Sequence, residues 1–242
     1  MKIKEIEKKF LPKIGSKNES LRMEWTEKAL KNIPAGLKIL DAGAGELKFK
    51  KFCSHLKYTS QDFGQYDGTG DKKGLQMKDW DNSKLDIVSD IINIPLPDKS
   101  FDAILCTEVL EHIPEPILAI KEFSRILKPG GNLILTAPFC SLTHFAPYHF
   151  YSGFNRYFFE KELKEFGFEI KEITPNGNFF SFIAQEIRRI PYVVENNSKK
   201  RVGIFSKMIL FLTLMVLSKL DRNDKNSNEV LCFGYFILAR KK

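Results

Sequence analysis

Ile39-Leu40-Asp41-Ala42-Gly43-Ala44-Gly45 is the stretch that decides how this chain folds. The apolar run from about Leu37 to Asp41 reads as a buried strand, and two spaced glycines follow it. Gly43 and Gly45 lack a Cβ, so the backbone can turn sharply towards a helix and let a bulky ligand lie against it. Asp41 puts a carboxylate at the mouth of that turn. A negative group there repels a pyrophosphate and favours a ligand with a cationic end. The slot for the third glycine of a GxGxxG fingerprint is Lys48, which argues against a nicotinamide site.

Further strands follow at spacings that fit one parallel sheet. Tyr58 to Asp62 ends in a carboxylate twenty-one residues after Asp41, where a ribose diol is gripped in this type of fold. Leu85 to Asp90 is a third strand, followed by Ile91. Phe101 to His112 (Phe-Asp-Ala-Ile-Leu-Cys-Thr-Glu-Val-Leu-Glu-His) is a fourth, running into a polar turn. A helix over 115–127, Leu127-Lys128-Pro129-Gly130-Gly131 and a fifth strand at Asn132 to Pro138 complete the pattern. Helices are predicted at 19–32, 46–56 and 158–166, with Gly167 as a C′ cap, then a strand at Phe168 to Thr174. Alternation of strand and helix implies an α/β sandwich around a parallel sheet.

These motifs, in this order, resemble the class I S-adenosylmethionine-dependent methyltransferases of the type 11 kind, over residues 37–173. The resemblance implies a Rossmann-like three-layer αβα sandwich with a mostly parallel seven-stranded sheet. The last strand, Val230 to Ala239, then inserts antiparallel beside the fifth. It implies a cofactor, S-adenosylmethionine, and a product, S-adenosylhomocysteine. Asp41 with the Ala42–Gly43 backbone and Gly45 would face the methionine part. Asp62, with Phe63 beside it, would hold the ribose, and Asp90 with Ile91 the adenine. Thr107 and Glu108 would lie near the sulfonium. The family often has a third glycine where this chain has Leu47, which changes packing of the first helical turn.

With 242 residues, 43% of them hydrophobic, the chain suits a single methyltransferase domain. Its parts read as an N-terminal helical arm (1–36), a cofactor core (37–175), a helical insertion (176–229) and a last strand with a basic tail (230–242). Four cysteines show no CxxC pair, so neither a disulfide framework nor a zinc site is expected; Cys106 and Cys140 read as small core residues. The charged start lacks an apolar signal core, and a cytoplasmic setting is expected, peripheral to the inner membrane surface at most.

Formal charge is +8 but unevenly spread. Residues 33–185 hold 17 Lys and Arg against 20 Asp and Glu, while 186–225 hold 9 against 4. A slightly acidic core disfavours nucleic acid in the cleft, and the Asn-Pro-Pro-Tyr type turn of base-amino methylases is absent after the fourth strand. Within the insertion, an aromatic helix (179–190) and a polar loop (Glu195 to Arg201) precede Val202 to Leu220, apolar from Met208 to Leu217 except Thr213. Lys207 and Lys219 cut this run below the ~20 residues of a membrane span. A buried helix, a helix on a membrane surface next to Lys199, Lys200 and Arg201, and a self-association face are the readings.

Methyl transfer from a sulfonium needs alignment, exclusion of water and, for a hydroxyl acceptor, a base. Thr143 to Tyr157 packs His144, Tyr148, His149 and Tyr151 into the loop after the fifth strand. His149 and His144, then His112, are the candidate bases, and Tyr148 and Tyr151 candidate substrate contacts. No carboxylate sits between His144 and His149, so no metal is expected. The expected acceptor is a small molecule, glycan or lipid-linked hydroxyl; a quinone-like or lipid ring carbon is the alternative, and a non-catalytic cofactor binder a more distant one.

Overall fold

The apolar runs at 37–41, 101–107 and 132–138 become strands, while the apolar run 208–217 becomes a helix. The computed structural model describes residues 12–198 and 200–242. Residues 1–11 of the expected N-terminal arm and Lys199 of the basic run lie outside them. In chain order come α1 (Asn18–Lys31), β1 (Lys38–Ala42), β2 (Lys57–Asp62), β3 (Ile87–Val88) and β4 (Phe101–Thr107). Then follow α2 (Pro116–Ile126), β5 (Leu127–Pro138), α3 (Arg156–Glu165), β6 (Phe168–Asn176), α4 (Phe179–Ser198), α5 (Ile204–Asp221) and β7 (Gly234–Lys241).

One seven-stranded sheet runs in the order β3-β2-β1-β4-β5-β7-β6. β1 pairs in parallel with both β2 and β4, so the order reverses at β1. That switch point leaves a crevice at the carboxyl ends of β1 and β4, where ligands bind in open α/β sheets. β7 pairs antiparallel to β5 from Asn132↔Arg240 to Pro138↔Gly234, as the family resemblance implies. The architecture is the Rossmann-like one.

β1, β4 and the second half of β5 are buried on both faces, as the centre of a helix-covered parallel sheet requires. Ile39, Ala103, Leu105 and Ile134 pack with Leu30 and Ile33 at the end of α1 and with Phe49, Cys53 and Leu56. Leu40, Ile104 and Cys106 alternate to the opposite face and are equally inaccessible. α2 buries Ala119, Ile120, Phe123 and Ile126 at three- and four-residue spacing, the stripe of a core-facing helix. Full burial of Phe123 alone contributes about 2–3 kcal/mol. The chain divides into two compact units: Arg22–Thr174 with Gly234–Lys242, which holds most of the sheet, and Pro175–Phe233 with the described residues up to Leu21. In the second unit Phe182 packs on Phe233, and the Asn176 amide donates to the Asn18 side chain.

Several elements differ from the sequence expectation for identifiable reasons. No α-helix forms over 46–56; turns and a 3-10 helix at Lys50–Phe52 stand there instead. Leu47 has φ of 60°, a left-handed value no α-helix accepts, costing a leucine about 1–2 kcal/mol. The backbone makes the turn a glycine would make there, without the glycine. β3 shrinks to two residues, while Asp86 just before it accepts hydrogen bonds from Ser60 N (2.8 Å) and Oγ (2.7 Å). α4 continues through Pro191 to Ser198, into the expected loop. β7 starts at Gly234 rather than Val230, after a 3-10 turn at Ser227–Glu229. Cys140 lies past the end of β5 and is exposed, so only Cys106 of that pair is a core residue.

Gly43 has φ of 76°, and a Cβ there would come 2.4 Å from Val109 Cγ2. Gly43→Ala should therefore destabilise by roughly 1–3 kcal/mol through overpacking, plus the left-handed cost. Denaturant melts of Gly43→Ala, Val109→Ala and the double variant check this. The double variant should be at least about 1 kcal/mol more stable than the sum of single losses predicts; strict additivity would mean no clash.

Candidate active site

The glycine turn is tied to its neighbours by backbone and carboxylate. Gly43 N and Ala44 N donate to Gln61 O at 2.8 and 2.9 Å. Asp62 at the end of β2 accepts from Gly45 N (3.0 Å) on one oxygen and from Gly64 N (3.0 Å) on the other. Asp62 thus clamps the turn after β1 to the turn after β2. On its outer side Gly45 meets an indole: a Cβ there would come 2.6 Å from Trp80 Cζ2.

Asp41 is 1% exposed and accepts a 2.5 Å hydrogen bond from the Tyr58 hydroxyl. Burial pushes its carboxyl up to about 7, against the Tyr58 hydrogen bond and with help from the Asp62 charge. Removing water raises the pKa of a carboxylic acid because the charged form loses far more hydration than the neutral one. Burial and the Asp41 charge push the Tyr58 phenol well up in return.

Among the other expected cofactor residues, Ala42 and Ile91 are buried. Asp90 follows β3, is exposed and accepts from Ile92 N at 3.1 Å, an Asx turn. Phe63 packs edge-on against Tyr148, centroids 4.9 Å apart. Thr107 ends β4. Glu108 follows it with φ of 53°, a strained value for a non-glycine residue. Its carboxylate accepts from Arg22 Nη1 (2.7 Å) and from Thr136 Oγ1 (2.8 Å), and its N–H donates to Thr136 O (3.0 Å). These bonds hold the strained turn in place.

The three candidate histidines converge. The ring centroids of His112, His144 and His149 lie 4.7, 4.8 and 5.9 Å apart. His112 Nδ1 lies 2.5 Å from Tyr148 O and His144 Nδ1 2.8 Å from Leu142 O. A carbonyl only accepts, so both Nδ1 atoms carry the proton, and in the neutral rings Nε2 is the lone-pair nitrogen. Burial and the nearby His144 push His112 down to about 3, against the Tyr148 hydrogen bond, so it is neutral at physiological pH. His149 is less buried, is lowered by desolvation and His144, and has Nε2 3.2 Å from Ser141 Oγ. Tyr151 donates to Pro114 O at 3.0 Å.

Sequence reasoning missed four residues of this cluster. Glu111, 1% exposed, has Oε1 3.8 Å from His112 Nε2 and 4.0 Å from His144 Nε2. Tyr66 stacks on Phe145 (4.5 Å), and Trp80 meets both edge-on. Phe145 in turn stacks on His112 (5.2 Å). The loop between β2 and β3 is laced to the loop after β5 by Leu75 N→Thr143 O and Phe145 N→Leu75 O, both 3.0 Å. The available signals were a tryptophan and a tyrosine in an otherwise polar loop, and a glutamate adjoining His112.

Residues 40–135, which span the turn, the carboxylates after β1 to β3 and Glu108 to His112, match the family model of a methyltransferase domain. A ubiquinone biosynthesis O-methyltransferase from Xanthomonas oryzae pv. oryzae is 54% identical over 37 residues, 15% of this chain and 16% of that one. A demethylmenaquinone methyltransferase from Staphylococcus haemolyticus is 29% identical over 117 residues, 46% of this chain and 48% of that one. The matches thus span half or less of the length of these curated relatives. A crystal structure of a SAM-dependent methyltransferase from Archaeoglobus fulgidus shares the fold, with TM-score 0.56 at 16% identity, over 93% of this chain and 94% of that one. A turn with two glycines and a buried carboxylate suited to a cationic ligand fit the cofactor of such enzymes, S-adenosylmethionine. Residues 40–135 carry a methyltransferase domain, and the fold is the one shared with that S-adenosylmethionine-dependent methyltransferase.

Proposed function

We propose that this enzyme methylates a hydroxyl group of a small-molecule, glycan or lipid-linked acceptor, with His149 as the base. The observation that carries the reading is the meeting of three histidines and the Tyr66–Trp80–Phe145 stack at the carboxyl edge of β4 and β5, beside the glycine turn. The cofactor supplies an activated methyl group on sulfur. The chain's own residues hold, orient and deprotonate. Asp62, already oriented by two backbone N–H groups, would accept from the ribose hydroxyls, and Asp90 from the adenine amino group. Asp41 would face the cationic methionine end with Ala42, Gly43 and Gly45. Phe63, Ile91, Thr107 and Glu108 complete the cofactor set, and Tyr148 and Tyr151 stand for the acceptor side. The aromatic stack would exclude water. His149 suits the base role better than His112, whose depressed basicity makes it a weak proton acceptor. His144 is the second candidate.

A quinone-like acceptor is the sharper form of this reading, supported by the names of the two relatives. Those names divide between oxygen methylation and a demethylmenaquinone substrate, so ring-carbon methylation is the competing outcome. An NMR spectrum of the methylated product separates an O-methyl from a C-methyl.

Among the described residues, no helix is long and apolar enough to cross a membrane. α5 nevertheless exposes Phe205, Met208, Ile209, Leu212, Met215 and Val216 along one side, with Lys200 and Arg201 ahead of it. This supports attachment to an anionic bilayer or self-association through 202–220. Liposomes containing anionic lipid should float the wild type, and Phe205→Asp with Leu212→Asp should stay in the pellet fraction. Equal flotation of both would remove α5 from the reading; each basic residue adds about 1 kcal/mol at most.

Asp41 gives a pH signature. Its folded-state value, raised from 3.8 to about 7, means the cofactor-free fold prefers it protonated. That stability is full below about pH 4 and is lost as pH rises through 7, by up to roughly 4 kcal/mol. Thermal melts at pH 4.5, 6 and 8 should show Asp41→Asn gaining on wild type as pH rises. A cationic ligand favours the ionised form, so wild-type cofactor affinity should rise between pH 6 and 8, and the variant's should stay flat.

His149→Ala should lower turnover about 10²–10⁴-fold while calorimetry finds cofactor affinity near wild type. Because its basicity is lowered, activity should hold above pH 6.5 and fall only on further acidification. Full activity of both His149→Ala and His144→Ala would end the base assignment.

A further inference from the structure

We propose that Glu111, His112 and His144 form a binding site for one divalent transition metal of the zinc class. One ligand atom from each of the three lies within 4.8 Å of the others, and Glu111 Oε1 faces His112 Nε2 at 3.8 Å and His144 Nε2 at 4.0 Å. The residues come from two places in the chain: the 3-10 helix after β4 brings Glu111 and His112, and the loop after β5 brings His144.

The arrangement makes little sense as hydrogen bonding. Both Nε2 atoms approach the same carboxylate oxygen, at 3.8 and 4.0 Å, beyond hydrogen-bond reach. The other oxygen, Oε2, is buried with no hydrogen-bond partner. A buried, unsatisfied carboxylate oxygen is costly unless something compensates it. Metal–ligand distances of about 2.0–2.2 Å in a tetrahedral site put ligand atoms about 3.3 Å apart. Around an ion the two carboxylate–imidazole separations therefore close by roughly 0.5–0.7 Å and the widest separation by at most about 1.5 Å.

The backbone has already done what a metal site asks of its histidines. Each Nδ1–H is held by a carbonyl, Tyr148 O for His112 and Leu142 O for His144, which fixes ring orientation and leaves Nε2 as the ligating atom. Such outer partners accompany most histidine ligands. Backbone further braces the cluster: Phe150 N and Tyr151 N both donate to Glu111 O. Two imidazoles and one carboxylate suit zinc-class ions rather than magnesium, which takes oxygen ligands. Three protein ligands leave one position open, the pattern of a reactive rather than a structural ion. On the functional reading above, that position would take the acceptor hydroxyl and lower its pKa, with His149 alongside; the site itself does not depend on that reading.

The test uses the full chain, free of any histidine tag, with metal alone and neither cofactor nor acceptor. Equilibrium dialysis against Zn²⁺ should give one ion per chain, and Co²⁺ should give the visible absorption of a tetrahedral complex. Excess Mg²⁺ should not displace either. His144→Ala and Glu111→Gln should each weaken zinc binding at least tenfold. His55→Gln, at a histidine bonded to Ile33 O, should leave it unchanged. If the buried Glu111→Gln variant fails to fold, the more exposed His144→Ala decides the matter. Zinc binding by wild type no tighter than by His144→Ala overturns the site. Stoichiometric zinc with no methyl transfer to any acceptor upholds the site and counts against the functional reading alone.

Discussion

Gly43 and Gly45 have no space for a side chain, and most of the candidate site depends on that. Val109, just beyond β4, presses on Gly43, and Trp80, from the loop after β2, presses on Gly45. Gln61 and Asp62 bond the same turn from β2. Three segments far apart in sequence are thereby registered against one another within a few ångströms. Loosening that contact would move the carboxylates after β1 and β2 and the strained Glu108 together.

This end of the sheet gathers carboxyl groups away from water. Asp41 and Glu111 are each 1% exposed, and Glu108 stands near by. Glu108 has the Arg22 guanidinium beside it. Asp41 has only a phenol, and burial pushes Glu111 well above the usual carboxylate range, with Glu108 adding to it. Buried carboxylates without a paired cation lower stability in a fold selected only for rigidity. Their presence fits a site completed by positive groups from outside, whether a sulfonium or a metal ion. The strained φ of Glu108 belongs to the same economy, since such outliers gather where function over-determines geometry.

Legibility followed how local the signal was. β1, β4 and the second half of β5 were readable because buried strands write themselves as near-continuous apolar runs. The antiparallel insertion of β7 came from family resemblance; nothing in Gly234–Lys241 alone states its direction. The helix expected after β1 was wrong because Leu47 takes a left-handed turn that no propensity scale assigns to leucine. The histidines were found because they fall within one short loop and one strand end. Glu111 was overlooked because, besides its neighbour His112, the histidine it faces is His144, thirty-three residues on. Trp80 was passed over for the same reason: its value lies in Gly45, thirty-five residues earlier.

The strand order carries a consequence for biosynthesis. β7 fills the gap between β5 and β6, yet it is made after both and after the two long helices α4 and α5. While a ribosome extends the chain, β5 must wait with an open edge and β6 has no neighbour to join. Sequence-distant pairing of this kind slows folding, and an unsatisfied edge strand invites pairing with another chain. The nascent protein is thus most vulnerable to aggregation during translation of residues 177–233, and a chaperone that covers β5 in that interval would raise yield more than one acting on the finished chain.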